Sequence, residues 1–221
     1  YRLKRFTLFF LCFGPPLLYL IFFMILPYAN IFEYSFWKKD LYSVVQEFSW
    51  DNYSRIIENP LYRQVIINSL EIGIIVTIFA NLLGYPLAYF LIFISKKHRM
   101  LLYFLVIAPL WTSFLLRTFV WKLILGRTGV VNGALISSGL IDEPLSIFLY
   151  NKFAVCLTLT YIFIPFIVLP VYTALEKIPR AYLEGSMDLG ANHLQTFLRI
   201  TLPLSVPGVI AGSTFTFCLS F

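Results

Sequence analysis

The sequence predicts an all-α protein that crosses a membrane several times. Hydrophobic residues make up 59% of the 221-residue chain and charged residues only 13%, compared with roughly a quarter in soluble domains. The apolar residues stand in runs of about 20, the length that a helix needs to span the hydrocarbon layer. Lys and Arg flank these runs and form no basic stripe, so the net charge of +6 indicates membrane orientation and no nucleic-acid partner.

The first apolar run, residues 6–27, follows three basic residues, Arg2, Lys4 and Arg5. A signal peptide begins in a similar way, but this run is too long for one and lacks a small-residue cleavage site. We therefore expect a retained first span with a cytoplasmic N-terminus. Because the sequence starts at Tyr1 and not at Met, we also expect a few residues to precede it.

The polar connectors predict the orientation of the next spans. Residues 30–63 carry acidic and basic residues that nearly cancel, and Trp37 and Trp50 suit a membrane interface, so this connector is expected on the outer side. Residues 95–99 are Ser-Lys-Lys-His-Arg, and such a basic cluster in a short loop is typical of the cytoplasmic side. The second, third and fourth spans are expected at residues 65–94, 100–125 and 153–175.

The loop at residues 126–150 is rich in glycine around one short apolar segment. It is expected to hold a small surface helix on the outer side. Pro165 and Pro170 lie inside the fourth span and are expected to bend it. A fifth span starts at Pro203, and the sequence stops at Phe221 inside that apolar run.

The most patterned stretch is polar and lies between the fourth and fifth spans, at residues 180–203, with the sequence RAYLEGSMDLGANHLQTFLRITLP. It predicts two short helices joined at a sharp corner. Gly190 suits the left-handed position that ends a helix. Asn192 suits the start of the next helix, with Gln195 three residues later in the spacing of a capping box.

Five positions of this stretch stand at the spacing E-x5-G-x9-I-x-L-P, namely Glu184, Gly190, Ile200, Leu202 and Pro203. The spacing resembles the EAA loop of the membrane subunits of type I ATP-binding-cassette (ABC) importers, whose pattern is E-A-A-x3-G-x9-I-x-L-P. Gly185 and Ser186 replace the two alanines. The resemblance implies a cytoplasmic coupling helix that docks on an ATPase subunit; an ordinary cytoplasmic loop is the alternative. The residues assigned to this coupling are Glu184, Gly185, Ser186, Asp188, Leu189, Gly190, Ala191, Ile200, Leu202 and Pro203.

Further segments resemble the spermidine/putrescine permeases, at residues 83–88, 109–113, 116–118, 139–145 and 161–170. The resemblance implies a polyamine importer, with ferric iron, sulfate, phosphonate or thiamine as alternative solutes. It also implies a type I ABC importer transmembrane domain in which residues 1–221 hold five of an expected six spans and lack the C-terminal end. The core permease region is then residues 65–221, and its cytoplasmic coupling loop is residues 178–203.

No Gly is followed by Lys, so the chain lacks the phosphate-binding loop of nucleotide hydrolases. It is therefore predicted to be a transport subunit and not an enzyme, with no cofactor of its own, since ATP and Mg²⁺ would bind the partner ATPase. Three scattered cysteines and two histidines predict no disulfide and no metal site. The resemblance implies a bacterial inner-membrane location and, as partners, an ATPase dimer, a second homologous permease, an extracytoplasmic binding protein, a polyamine and membrane lipid.

Charged and aromatic residues inside the spans are the candidates for a substrate pathway. Glu71 and Arg117 are expected near the outer mouth, where they either extend to the headgroups or pair with each other. Because Glu71 is the only carboxylate within an expected span, a sharper hypothesis is that it receives a cationic substrate. Aromatic faces attract cations, so Tyr85, Trp111 and Tyr161 are also candidates.

Two other classes remain as alternatives. An ATP-independent secondary transporter or channel would place ionisable residues at mid-membrane for ion coupling, and the sequence puts none there. A membrane-anchored scaffold would not need several spans that contain proline.

Overall fold

The structure of the chain, a computed structural model, describes residues 2–39, 44–95, 97–145, 148 and 151–221. Lys96 of the predicted basic cluster and Tyr150 at the end of the predicted surface loop lie outside these residues. The α-helices are α1 (Arg2–Leu20), α2 (Leu26–Ser35), α3 (Asp51–Glu58), α4 (Pro60–Tyr89), α5 (Arg99–Ile107), α6 (Phe114–Leu125), α7 (Val130–Ser137), α8 (Lys152–Glu176), α9 (Arg180–Asp188), α10 (His193–Thr196) and α11 (Leu202–Ser220). The predicted all-α class is confirmed.

Short turns of other geometry connect or extend these helices. A π-helical turn at Ile21–Ile25 joins α1 to α2, another at Phe90–Ile94 extends α4, and a third at Phe197–Thr201 joins α10 to α11. A 3₁₀ turn at Ala108–Trp111 follows α5. The described residues also contain one antiparallel hairpin, β1 (Trp37–Lys39) with β2 (Val44–Phe48).

Five stretches of the described residues are helical, long and apolar enough to cross a membrane, which is the number that the sequence predicts, although the third covers different residues from the predicted 100–125. They are Leu11–Ser35, Pro60–Ile94, Phe114–Ser137, Lys152–Glu176 and His193–Ser220.

The predicted third span, residues 100–125, is not one continuous helix. The chain is extended at Thr112 and Ser113, and the shorter apolar helix Arg99–Trp111 precedes this break. Pro109 lies at the start of the 3₁₀ turn, and the amide and hydroxyl of Thr112 both donate to its carbonyl oxygen, at 3.1 Å and 2.7 Å. These bonds satisfy the carbonyl oxygen of Pro109, which in a regular α-helix would accept from the amide four residues later. Broken helices of this kind are tolerated in membrane proteins when the freed backbone groups find other partners.

Residues 1–66 form one compact unit and residues 67–221 another. In the first unit, the side-chain amide of Asn52 donates to the carbonyl oxygens of Ser35 and Trp37, at 3.0 Å and 2.9 Å. The rings of Phe36 and Phe48 stack with centroids 5.2 Å apart. The connector predicted as a polar segment on the outer side therefore holds a hairpin and a helix in its described residues.

The core of the second unit is built around α8. Its buried residues Ile167, Val168 and Val171 pack in one cluster with Ala80 and Ala88 of α4. Asn151 caps α8 by accepting a hydrogen bond from the amide of Ala154 at 2.8 Å. The predicted fourth span is thus confirmed, whereas the bend expected at its two prolines stays a prediction.

Glycines allow the neighbouring helices to approach the backbone of α8. A Cβ atom at Gly208 of α11 would lie 2.6 Å from the carbonyl oxygen of Pro170, and one at Gly212 would lie 3.1 Å from the Cα of Ile167. A Cβ atom at Gly84 of α4 would lie 2.9 Å from Cγ2 of Ile167. Gly208 and Gly212 stand four residues apart, the spacing that brings helices into close contact in membranes.

One buried amide joins the described residues on the two sides of the loop before α8. The predicted small helix exists as α7, and Asn132 within it is fully buried. Its side-chain nitrogen donates to the carbonyl oxygens of Gly126 and Leu145, at 3.0 Å and 3.2 Å, and its oxygen accepts from the amide of Leu145 at 2.9 Å. Asn132 therefore joins both sides of this loop.

Candidate functional site

The corner of the predicted coupling loop, residues 178–203, is formed at Gly190. The backbone of Gly190 has φ +84°, a left-handed conformation that costs a residue with a side chain more than it costs glycine. The amide of Gly190 donates to the carbonyl of Met187 at 2.9 Å, and the amide of Ala191 donates to that of Ser186 at 3.0 Å. These two bonds form a Schellman motif, and they confirm the predicted conformation of Gly190.

The second arm of the loop starts with the predicted capping box. The side-chain oxygen of Asn192 accepts from the amide of Gln195 at 2.8 Å, and that of Gln195 accepts from the amide of Asn192 at 3.0 Å. Together with the Schellman motif, the box satisfies the backbone groups on both sides of the corner. The angle between the two arms is therefore determined locally.

A hydrogen bond between Ser186 and Thr196 joins the two arms directly. Their hydroxyl oxygens are 2.8 Å apart. Ser186 donates its hydroxyl hydrogen to the carbonyl of Leu183, so Thr196 is the donor to Ser186. Thr196 is only 6% exposed, which makes an unpaired hydroxyl there costly. The alanine that the family pattern has at this position could not accept this hydrogen bond. Sequence reasoning did not predict the bond, because it considered only the size of Ser186.

Apolar side chains project from the loop into solvent. Leu189 is 91% exposed, and Tyr182, Met187, Leu194 and Leu198 are also exposed. These exposed apolar residues stand close together in sequence on an otherwise polar loop, which favours a contact surface for another protein. Among the residues assigned to coupling, Glu184, Asp188, Gly190 and Pro203 are exposed as well, whereas Gly185, Ser186, Ala191, Ile200 and Leu202 are partly buried.

Glu71, the predicted acceptor of a cation, already has a basic partner within the chain. Its Oε2 lies 2.6 Å from Nζ of Lys152 in the first turn of α8, and both side chains are about half exposed. The proposed pair between Glu71 and Arg117 is therefore wrong. Sequence reasoning could not find Lys152, because the residue is distant in sequence and lay at the expected edge of a span.

The other pathway candidates lie in separate environments. In the described part of the chain, Nε and Nη1 of Arg117 are buried and have no hydrogen-bond partner. Trp111 is 73% exposed and meets Phe104 edge-on, with ring centroids 5.1 Å apart. Tyr161 is exposed and packs against Trp121 at 5.2 Å.

Tyr85 belongs to a row of polar contacts between α4 and α11. Its hydroxyl lies 2.9 Å from that of Ser205, and the side-chain nitrogen of Asn81 donates to the hydroxyl of Ser213 at 2.9 Å. We call these four residues the polar seam. Sequence reasoning missed three of them, although Asn81 and Tyr85 stand one helical turn apart inside an apolar run and therefore lie on one face.

Two of the five pathway candidates are far apart in the described part of the chain. Glu71 and Tyr85 lie on the same helix, α4, and their positions in sequence separate them by about 21 Å along its axis.

Comparison with known proteins assigns the chain to a family. Residues 80–221 match the family model described as binding-protein-dependent transport system inner membrane component. The chain belongs to this family. The prediction of a permease subunit in the bacterial inner membrane is thus confirmed over the alternatives of an ATP-independent transporter or a scaffold.

Individual members of the family are similar over most of the chain. The spermidine/putrescine transport system permease protein of Escherichia coli (strain K12) is 43% identical over 195 residues, which are 88% of this chain and 70% of that protein. An inner membrane ABC transporter permease protein of the same organism is 36% identical over 75% of this chain and 56% of its own length. A solved bacterial ABC transporter that imports alginate has a TM-score of 0.70 at 20% identity, covering 94% of this chain and 71% of its own. That structural likeness supports the permease fold.

Removing the Ser186 hydroxyl is expected to loosen the corner of the coupling loop. In Ser186→Ala the buried Thr196 hydroxyl loses its acceptor, and a neutral hydrogen bond is worth about 1 kcal/mol, so amide hydrogen exchange at residues 191–196 should quicken about fivefold. Hydrogen exchange of the purified transporter, followed by mass spectrometry, would measure this rate.

A double variant and a control separate this bond from general effects of losing a hydroxyl. Ser186→Ala with Thr196→Val leaves no unpaired hydroxyl and should exchange more slowly than Ser186→Ala alone. The control is Ser137→Ala, because the Ser137 hydroxyl donates to the carbonyl of Ala134 within its own helix, α7. If amide hydrogen exchange in Ser186→Ala were as slow as in the wild type, the bond between Ser186 and Thr196 would not hold the corner.

Proposed function

We propose that the chain is a permease subunit of a polyamine importer, which moves spermidine or putrescine delivered by an extracytoplasmic binding protein. The main support is the 43% identity with the spermidine/putrescine permease protein over 88% of the chain. The family description supports dependence on a binding protein. Energy comes from ATP bound with Mg²⁺ on a separate ATPase dimer, and a second, homologous permease completes the pathway.

We propose that the coupling loop, residues 178–203, docks in a groove of the ATPase. The exposed apolar side chains of Leu189 and Leu194 support this role, because such residues bury well in a protein interface. Glu184 and Asp188 add exposed carboxylates for polar contacts at its rim. The hydrogen-bonded corner at Gly190 would move as one piece when the ATPase subunits close.

In the proposed mechanism the coupling loop moves α8 and α11, which it connects in the chain. These helices pack closely through Gly208 and Gly212, so movement of one is passed to the other. The helix break at Thr112 and Ser113 provides a point where the third span can change its direction. Alternating access then opens the pathway first to the binding protein and afterwards to the cytoplasm.

ATP hydrolysis by the assembled transporter tests this function. The full-length permease would be co-expressed with its partner permease and ATPase and reconstituted in lipid. Hydrolysis would be measured with binding protein loaded with spermidine, putrescine, ferric iron or sulfate. We expect stimulation by the polyamines alone. Stimulation by another ligand would retain the importer and reject the polyamine, and absence of any ATPase association would reject the coupling-loop assignment.

Substitution of Gly190 by valine is expected to uncouple hydrolysis from transport. Valine in a left-handed conformation costs about 1–2 kcal/mol, so residue 190 should leave that conformation and the corner should lose its shape. Insertion of the chain in the membrane should be unaffected. Transported polyamine per hydrolysed ATP should fall about tenfold, the change that such an energy produces in an equilibrium. Transport and hydrolysis would be measured together in proteoliposomes.

Gly139→Val is the matched control for this experiment. Gly139 also has a left-handed backbone, with φ +70°, and likewise has no atom within 4 Å of its Cβ position. It lies outside the coupling loop, so the same strain there should leave the ratio of transport to hydrolysis unchanged. Normal coupling in Gly190→Val, or equal loss in both variants, would contradict the role of Gly190.

We further propose that Glu71 binds an ammonium group of the substrate, which displaces Lys152 from its ion pair with Glu71. Tyr85, Trp111, Arg117 and Tyr161 are proposed to contribute to the pathway at other depths. Exposed ion pairs are worth at most about 1 kcal/mol, so a competing cation can replace Lys152. Glu71→Gln should then raise the half-saturating polyamine concentration for uptake about two- to fivefold.

Lys152→Gln separates the two possible roles of this pair. If Glu71 receives the substrate, removal of Lys152 frees the carboxylate, and uptake should saturate at an equal or lower polyamine concentration. If the pair only holds α4 against α8, both substitutions should impair uptake alike. Unchanged saturation in Glu71→Gln would also reject the proposal.

A further inference from the structure

The start of α5 and the end of α8 are joined through the side chain of Arg99. Its Nε donates a hydrogen bond to the hydroxyl oxygen of Tyr172 at 2.6 Å. Its Nη2 pairs with the carboxylate of Glu176. The guanidinium carbon also lies 4.9 Å from the centre of the Tyr172 ring, within the range of a cation–π contact. We call Arg99, Tyr172 and Glu176 the Arg99 cluster.

The bond to Tyr172 is the specific part of this cluster. Glu176 is more than half exposed, so its pairing with Arg99 is screened by water and contributes little alone. Tyr172 is buried, and its ring also packs against Tyr103 with centroids 4.3 Å apart. Arg99 and Tyr103 stand four residues apart on one face of α5, so two successive turns of α5 contact the same tyrosine of α8.

The cluster lies next to the coupling loop along the chain. Only Lys177, Ile178 and Pro179 separate the end of α8 from α9. Ile178 is buried in the same hydrophobic cluster as Tyr172, and Leu183 of α9 packs against that cluster. A displacement of α9 therefore reaches Tyr172 through packed residues.

The other end of α5 leads to the break in the third span. Helix α5 and the 3₁₀ turn run from Arg99 to Trp111, a length of about 20 Å. The extended residues Thr112 and Ser113 follow directly. A continuous helical segment thus connects the Arg99 cluster with the point where the third span changes direction.

We propose that Arg99 is a positioning residue that passes movement of the coupling loop through Tyr172 to the broken third span. This role rests on the proposed ATP-driven transport and adds a second route beside the α8–α11 contact. It goes beyond the predicted role of the basic cluster as an orientation signal. Without the Arg99 contacts, α8 follows the loop while α5 stays behind, and ATP is hydrolysed with little transport.

The ratio of transported substrate to hydrolysed ATP tests this role in the complete reconstituted transporter. In Arg99→Gln we expect the ratio to fall about tenfold or more, the order set by loss of a hydrogen bond to a charged group. ATPase association and stimulation by loaded binding protein should remain. Arg99→Lys should restore the ratio only in part, because an ammonium lacks the planar fork that reaches both partners.

Lys97→Gln is the matched control. It removes a positive charge from the same cytoplasmic cluster, and Lys97 is exposed. Its ratio of transport to hydrolysis should equal that of the wild type. An unchanged ratio in Arg99→Gln, or an equal fall in Lys97→Gln, would overturn the role of Arg99. If the wild-type permease did not associate with the ATPase, that result would instead reject the proposed function on which the inference rests.

A charge exchange keeps the proposal testable if single variants assemble poorly. Arg99→Glu combined with Glu176→Arg retains an ion pair, and both new charges suit their helix ends, an acid at the start of α5 and a base at the end of α8. We expect each single change to lower the ratio of transport to hydrolysis and the double variant to recover part of it, because the ion pair returns and a carboxylate at position 99 can accept a hydrogen bond from the Tyr172 hydroxyl. A double variant as uncoupled as the single ones would overturn the proposal.

Discussion

The close approach of α8 to α4 and α11 is the contact on which the second unit depends. Helices in a membrane gain little from hydrophobic burial against lipid, so their association relies on tight van der Waals packing. Gly84, Gly208 and Gly212 allow this tight packing, because they lack the Cβ atoms that would clash with Ile167 and Pro170. Helix α8 is also the element that contacts Arg99 through Tyr172 and Glu176 and that leads into the predicted coupling loop.

The coupling loop combines a locally determined shape with an exposed apolar surface. Its corner is built from bonds between residues close in sequence, around Gly190 and Asn192, and the cross-arm bond from Thr196 to Ser186 adds a contact between its helices. Exposed residues such as Leu189 are thereby held next to a hydrogen-bonded corner. A surface of this kind can bind a partner with little ordering cost.

Sequence reasoning was more successful for the coupling loop than for the substrate pathway. Capping and turn signals act over three to six residues, so the conformation of Gly190 and the capping box of Asn192 could be predicted. The pathway candidates were chosen for charge and aromatic character alone. Glu71 proved to have a basic partner in Lys152, and the polar seam was missed, because both depend on which helices become neighbours.

The sequence by itself determined the membrane class, four of the helical spans, the corner of the coupling loop and the family. Each follows from composition, from runs of apolar residues or from short motifs, which act within a few turns of chain. Tertiary structure decided the break after Pro109, the partners of Arg99 and Glu71, and the bond between Ser186 and Thr196. These features depend on side chains and backbone groups that meet only after the helices pack, and a one-dimensional pattern does not contain that proximity.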